Sequence, residues 1–185
     1  MKIIMLTQGK FTTVDDEDYE ELVKHKWCLG GRGKYAIRRV YRTCVKMANV
    51  IMKPPPGMVV DHISGDTLDD RRCNLRVCTE KQNHANRAKK RTTDYLYKGV
   101  EPFPNGRWRA VIFFDGKKHN LGTFTDPKAA AMAYDTVALH TWGEYARLNL
   151  PDEPPDLVFM RSKRTSAGGR KVSPLWETLV KESTR

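Results

Sequence analysis

The chain lacks close cysteine pairs, long apolar runs and an apolar N-terminal stretch, and each absence excludes something. Cys28, Cys44, Cys73 and Cys78 are scattered without a CxxC pair. A four-cysteine zinc knuckle needs closely spaced pairs, so no structural zinc is expected and the thiols are read as reduced. No apolar run is long enough to cross a bilayer, which removes the membrane from the expected partners. The opening MKIIMLTQGK has neither an h-region nor a small-residue cleavage site, so a cytoplasmic, non-secreted protein is expected. No internal repeat is evident.

Positive charge is what the chain has in excess. Against 22 Asp+Glu stand 33 Lys+Arg, a formal net charge of +11 over 185 residues. That balance calls for a polyanionic partner, nucleic acid first. The length suits one ordinary domain or two to three small ones.

Alternation and turn signals divide the chain. Residues 1–50 read as a β-rich subdomain: IIML and the long alternating KYAIRRVYRTCVKMANVIM, around a short acidic-capped helix in DDEDYEELVKHKW. Pro54, Pro55, Pro56 and Gly57 then stop regular structure. Over 51–92, MVVDHI reads as a strand, SGDTLDD as a loop and NLRVC as a second strand. Thr79, with Gln82 three residues on, has the capping-box spacing and opens a helix. Over 95–151, Asn105-Gly106 and Asp115-Gly116 separate three strands, and Asp126-Pro127 starts an alanine-rich helix closed by Gly143. Residues 152–185 read as a basic, flexible tail. The expected class is α+β: an N-terminal β-rich unit, a ββα unit, then a three-stranded antiparallel sheet packed on one helix.

The stretch DHISGDTLDDRRCNLRVCTEKQN carries the chemistry. Asp61 at a strand end and Asn83 in the first turns of a facing helix form a sparse oxygen pair of the kind Mg²⁺ accepts, since that ion keeps several waters. Mn²⁺ takes the same ligands. His62 points to the other side of the strand, and a neutral imidazole, with an ordinary pKa of about 6.5, can take a proton from water. Phosphodiester hydrolysis needs these parts. A structural Asp-His pair with turn and cap asparagines is the bland alternative.

PPPGMVVDHISGDTLDDRRCNLRVCTEKQNHANR resembles the HNH endonuclease family, in the variant whose last ligand is Asn. The resemblance implies a ββα-metal nuclease, with His62 as general base, Asp61 and Asn83 as metal ligands, and Asn74 pinning the loop and orienting His62. Two positions depart from it. Asp70 stands where relatives commonly have Asn, adding negative charge near the metal loop, and Ala48-Asn49 stand where relatives commonly show His-Arg.

The segment YKGV, GRWRAVI, GKKHNLGTF, AAAMAYDTVALHTWGEYARLNLP is similar to the APETALA/ethylene-response-factor type DNA-binding domain. That resemblance implies a sheet that enters the major groove of double-stranded DNA. Alternation sends Trp108, Ala110 and Ile112 toward the helix, and the opposite face is expected to offer Lys98, Arg107, Arg109, Lys118 and Asn120. Glu101 and Phe103 stand where the plant factors carry arginines, so their preferred sequence does not transfer. The connector Arg87, Lys89, Lys90, Arg91 is expected to track phosphates.

Together the two segments look like the modular homing endonucleases of phages, mobile introns and some bacterial genomes. The expected protein is a metal-dependent, site-specific DNA endonuclease, working as a monomer in a phage or bacterial nucleoid setting. The alternative is a weakened HNH scaffold that binds DNA and regulates. A third reading, an RNA-binding protein, rests on charge alone.

Overall fold

The computed structural model describes residues 1–30, 33–88 and 96–153. Contacts divide the chain into two compact units, Met1–Asn86 and Arg87–Arg185. Residues 154–185 and the connector residues Lys89, Lys90 and Arg91 lie outside the described residues.

In the first unit β1 (Lys2–Met5) and β2 (Phe11–Val14) form an antiparallel hairpin, followed by α1 (Asp16–Leu22). A three-stranded antiparallel sheet follows, β3 (Cys28–Gly30), β4 (Tyr35–Val40) and β5 (Thr43–Lys46), and then α2 (Met47–Met52). The long alternating stretch is therefore not one strand. Its chain turns at Tyr41, which has a φ of 52°, and its end coils into α2 so that Met47, Ala48 and Ile51 reach the core together. A second hairpin, β6 (Val59–His62) with β7 (Leu75–Cys78), leads into α3 (Glu80–Asn86). Thr79 and Gln82 make the expected capping box: the Thr79 N–H donates to Gln82 Oε1 at 2.8 Å and the Gln82 N–H to Thr79 Oγ1 at 3.3 Å.

One core serves residues on both sides of the triple proline. Ile4, Leu6, Val14, Leu22, Trp27, Ala36, Met47, Ala48 and Ile51 pack with Leu75 of β7. The first hairpin is also stitched to the loop between β6 and β7. The Thr13 N–H donates to Leu68 O at 2.9 Å, the Asp70 N–H donates to Thr13 O at 2.8 Å, and Thr13 bridges Asp69 in parallel. Arg72 adds an ion pair with Asp18 at 2.7 Å.

The second unit is a meander, β8 (Val100–Phe103), β9 (Arg107–Phe114) and β10 (Lys117–Phe124), in the order β10-β9-β8. Both tight turns take positive φ at both central residues, Asn105 (64°) with Gly106 (67°) and Asp115 (48°) with Gly116 (70°), which matches strand twist. On one face lies α4 (Pro127–Trp142), whose first N–H groups are capped by the Asp126 carboxylate. Ala129, Ala130, Ala133 and Val137 let it approach Val100, Ala110, Ile112, Leu121 and Phe124 closely. Trp108 packs at the edge of this core. Buried Asp135 accepts the Asn149 and Leu150 N–H groups at 2.9 and 2.8 Å, and Asn149 bonds the Lys98 backbone in both directions.

Candidate active site and nucleic-acid face

Asp61 and His62 end β6. Neighbours on a strand face opposite sides, yet here both are buried, at 6% and 5% exposure. Each must therefore be met by polar partners of its own.

Asp61 stands in register opposite Arg76 of β7. The Arg76 Nε and Nη2 donate to Asp61 Oδ2 at 3.0 and 2.9 Å. From α3, Asn86 Nδ2 reaches both carboxylate oxygens, at 3.1 and 2.9 Å, and the carbonyls of His62 and Ile63 at 2.9 and 3.2 Å. With two hydrogens for four acceptors, that amide group clamps the end of β6 to the helix. Asn83 is half-buried and lies three residues earlier on the same side of α3, with its N–H on Thr79 O at 3.0 Å. The Asp61 carboxylate and the Asn83 amide oxygen are hard donors of the kind Mg²⁺ or Mn²⁺ takes. Both Asp61 oxygens already accept from Asn86 and one from Arg76, and no cluster of three His, Cys, Asp or Glu that could hold a metal lies among the described residues. Cys78, at the end of β7, is no competitor: burial first, and then the Asp61 charge, pushes its thiol up and keeps it protonated.

His62 meets different neighbours. Its Nε2 lies 3.2 Å from Asp70 Oδ1. Asp70 is 2% exposed, and its other oxygen accepts the Thr12 hydroxyl at 2.7 Å. Asn74 holds the intervening loop: its Oδ1 accepts the Ser64 N–H at 2.9 Å, and its Nδ2 donates to Asp69 O at 2.8 Å and Asp66 O at 3.3 Å. Pinning the loop is thus the work of Asn74, whereas the contact on the His62 ring comes from Asp70. Asn74 bears on the ring through the loop that it holds, which leads into Asp70. Asp70 does not point its charge at a metal loop; it points at His62 and Thr12. Asp69 beside it is gripped by the Arg71 guanidinium, which holds its carboxyl below the usual range. Ala48 is 2% exposed within α2 and serves the core.

Three residues here went unread in the sequence. Asn86 had a signal, an amide one turn past Asn83. Arg76 becomes visible only once the hairpin register is known. Thr12 had none, because its contact spans the whole of β3 to β6.

The outer face of the second unit carries Arg107 and Arg109 from β9, with Lys118 and Asn120 from β10. Glu101 of β8 sits among them, accepting from Arg109 Nη2 at 2.7 Å and from Lys118 Nζ at 2.7 and 3.0 Å. Burial alone would push the Glu101 carboxyl up, but the two cations together hold it below its usual range. Arg109 also lies 5.4 Å over the Phe103 ring, and the outward Phe113 is 64% exposed. Asn120 Oδ1 accepts the Gly122 N–H at 3.2 Å, across a β-bulge. Lys98 is a correction. Its Nζ lies 5.8 Å over Tyr134 of α4, on the helix side, where burial first and Arg147 second lower its pKa to about 8. It lies two residues before Val100, whose side chain enters the same helix-side core. Arg87 is exposed after α3.

Residues 53–85 match the family model described as HNH endonuclease. The chain carries an HNH endonuclease segment. An uncharacterized HNH endonuclease of Acanthamoeba polyphaga mimivirus is 28% identical over 153 residues, 78% of each chain. Protein 3.8 of Escherichia phage T7 is 32% identical over 95 residues, half of this chain and 77% of the relative, and the two belong to one family. An AP2/ERF and B3 domain-containing protein of Oryza sativa subsp. japonica is 53% identical over 55 residues, 30% of this chain and 15% of that protein. The HNH segment supports a nuclease, and the AP2/ERF likeness covers a part of the chain only.

Proposed function

We propose that the protein is a metal-dependent endonuclease that hydrolyses phosphodiester bonds in double-stranded DNA, site-specific in the manner of homing endonucleases. One observation carries this reading: adjacent Asp61 and His62 are both buried, and they face separate polar settings at the end of one strand. One residue can then hold a cation while the other handles a proton.

Asp61 and Asn83 would hold a divalent ion, Mg²⁺ or Mn²⁺, which when bound supplies positive charge at the scissile phosphate. His62 takes a proton from water, and the resulting hydroxide oxygen bonds to phosphorus. The bond from phosphorus to the leaving sugar oxygen breaks, and that oxygen collects a proton from solvent. Asn74 keeps the loop closed around the base, and the second unit selects the duplex through Arg107, Arg109, Lys118 and Asn120. Phosphate contacts position a protein and base contacts specify the site, so a sparse nuclease centre needs such a module.

The test is nicking of supercoiled plasmid carrying native-locus sequence, with Mg²⁺ or EDTA. Nicked or linear product from the wild type with Mg²⁺, absent in His62→Ala, is the expected result. A second reading, a DNA-binding regulator without catalysis, is favoured by the Arg76 and Asn86 donors that already satisfy Asp61. Tight, salt-sensitive duplex binding without cleavage of the native locus would select it.

A further inference from the structure

We infer that Asp70 and Thr12 are positioning residues that fix which nitrogen of His62 is free to take a proton, and that the first hairpin thereby completes the nuclease centre. The inference rests on the nuclease reading for its purpose, though its geometry stands without it.

The chain of contacts is short and dry. His62 Nε2 lies 3.2 Å from Asp70 Oδ1, Asp70 Oδ2 lies 2.7 Å from Thr12 Oγ1, and the three residues are 5%, 2% and 0% exposed. Asp70 Oδ2 accepts the Thr12 hydroxyl, and Oδ1 acting as an acceptor toward the ring puts the proton of a neutral imidazole on Nε2. Nδ1 is then left with the lone pair. Thr12 has one hydroxyl hydrogen and two acceptors in reach, Asp70 Oδ2 and Leu68 O at 2.8 Å. Charge assistance directs that hydrogen to the carboxylate, which keeps Asp70 from rotating away.

An asparagine at position 70 does not do this. Its amide can present either an oxygen or an NH₂ to the ring, so it accepts either tautomer. The Asn-to-Asp departure noted in the sequence therefore has a consequence at the base itself. Thr12 lies outside residues 53–85, the matched segment, and reaches the site because its neighbour Thr13 is bonded through its own N–H and carbonyl to Leu68 and Asp70, on either side of Asp69. The hairpin carries the strut, and the strut holds the ring.

Nitrogen-resolved NMR of the His62 ring in the full, metal-free chain, at a pH where the ring is neutral, reads the tautomer directly. Nicking rates with Mg²⁺ are read alongside. The wild type is expected to show the Nε2–H form. Asp70→Asn should convert the ring to a mixture or to the Nδ1–H form and slow nicking by roughly tenfold or more, the usual scale for losing an orienting partner. Thr12→Val should weaken the preference, and Thr12→Ser, which restores the hydroxyl, should recover it. If Asp70→Asn fails to fold, the Val and Ser pair at position 12 decides by the same signature. An unchanged Nε2–H form in Asp70→Asn, or in Thr12→Val where the first variant does not fold, overturns the inference whatever the rates. A wild type that never cuts defeats the nuclease reading while leaving the tautomer result intact.

Discussion

Replacing Arg76 with methionine tests how Asp61 is held. The two side chains are 11% and 7% exposed, and the pair is made through two guanidinium nitrogens. Taking one partner from a buried pair leaves a buried charge, which costs about 3–5 kcal/mol in general. Asn86 still donates to Asp61 in the variant, so the lower end, about 3 kcal/mol, applies. For a unit of this size each kcal/mol moves the midpoint by roughly 4–8 °C, so the first unit should melt roughly 12–24 °C lower. Asp61→Asn combined with Arg76→Met should recover much of the loss, because neither charge is then stranded. Mg²⁺ should stabilise Arg76→Met more than the wild type, since the cation no longer competes with a guanidinium for the same oxygen. Urea and thermal melts of the full chain, with Mg²⁺ and with EDTA, give all four numbers. A loss below about 1 kcal/mol, the size expected of an exposed pair, would refute the claim that Asp61 is desolvated and held by Arg76.

The second unit offers direct tests of its own. Glu101→Gln should release Arg109 and Lys118 to phosphates; duplex affinity should rise at low salt, its salt slope should steepen by about 1–2, and discrimination between sequences should fall in a competition assay. Gly99→Ala would place a Cβ 2.1 Å from Tyr134 Cδ2 and 2.6 Å from Val111 O at a φ of +73°, so overpacking and left-handed strain together should cost about 3 kcal/mol in a urea melt. The Lys98 pKa, lowered to about 8 from 10.5, means that the folded unit binds fewer protons than the unfolded chain between those values. Stability of this unit should therefore rise as pH climbs through that window, and Lys98→Met should stabilise it at neutral pH and abolish that rise. Ala48→His, a change toward the residue that relatives commonly show, should lower stability by about 1–3 kcal/mol, because Ala48 is 2% exposed in a filled core.

Local signals made much of this fold legible. Thr79 and Gln82 announce a capping box, Asp126-Pro127 a helix start, and Asn105-Gly106 and Asp115-Gly116 two hairpins, and each acts over a few residues of chain. The strand alternation that sends Trp108, Ala110 and Ile112 inward is of the same kind. What stayed hidden depends on tertiary placement. The helix Met47–Met52 lies in a sequence that alternates like a strand, and only the shared core of Ile4, Trp27 and Leu75 decides for the helix. Lys98 is different: alternation pairs it with the inward Val100, two residues on, so its place on the helix side was open to reading.

The site divides along the same line. Asp61, His62, Asn74 and Asn83 lie within one short run, and their residue types alone suggest what they do. Arg76, Asn86, Asp70 and Thr12 decide how the first two are oriented and held, and three of these four lie in or next to that run without looking like chemistry. A buried acid beside a buried histidine cannot be left to solvent, so the fold must supply a donor set for one and an acceptor for the other. The donor set comes from β7 and α3, inside or just past the matched segment. The acceptor is anchored by Thr12 from the first hairpin, so the compact unit Met1–Asn86 holds both partners of the pair together.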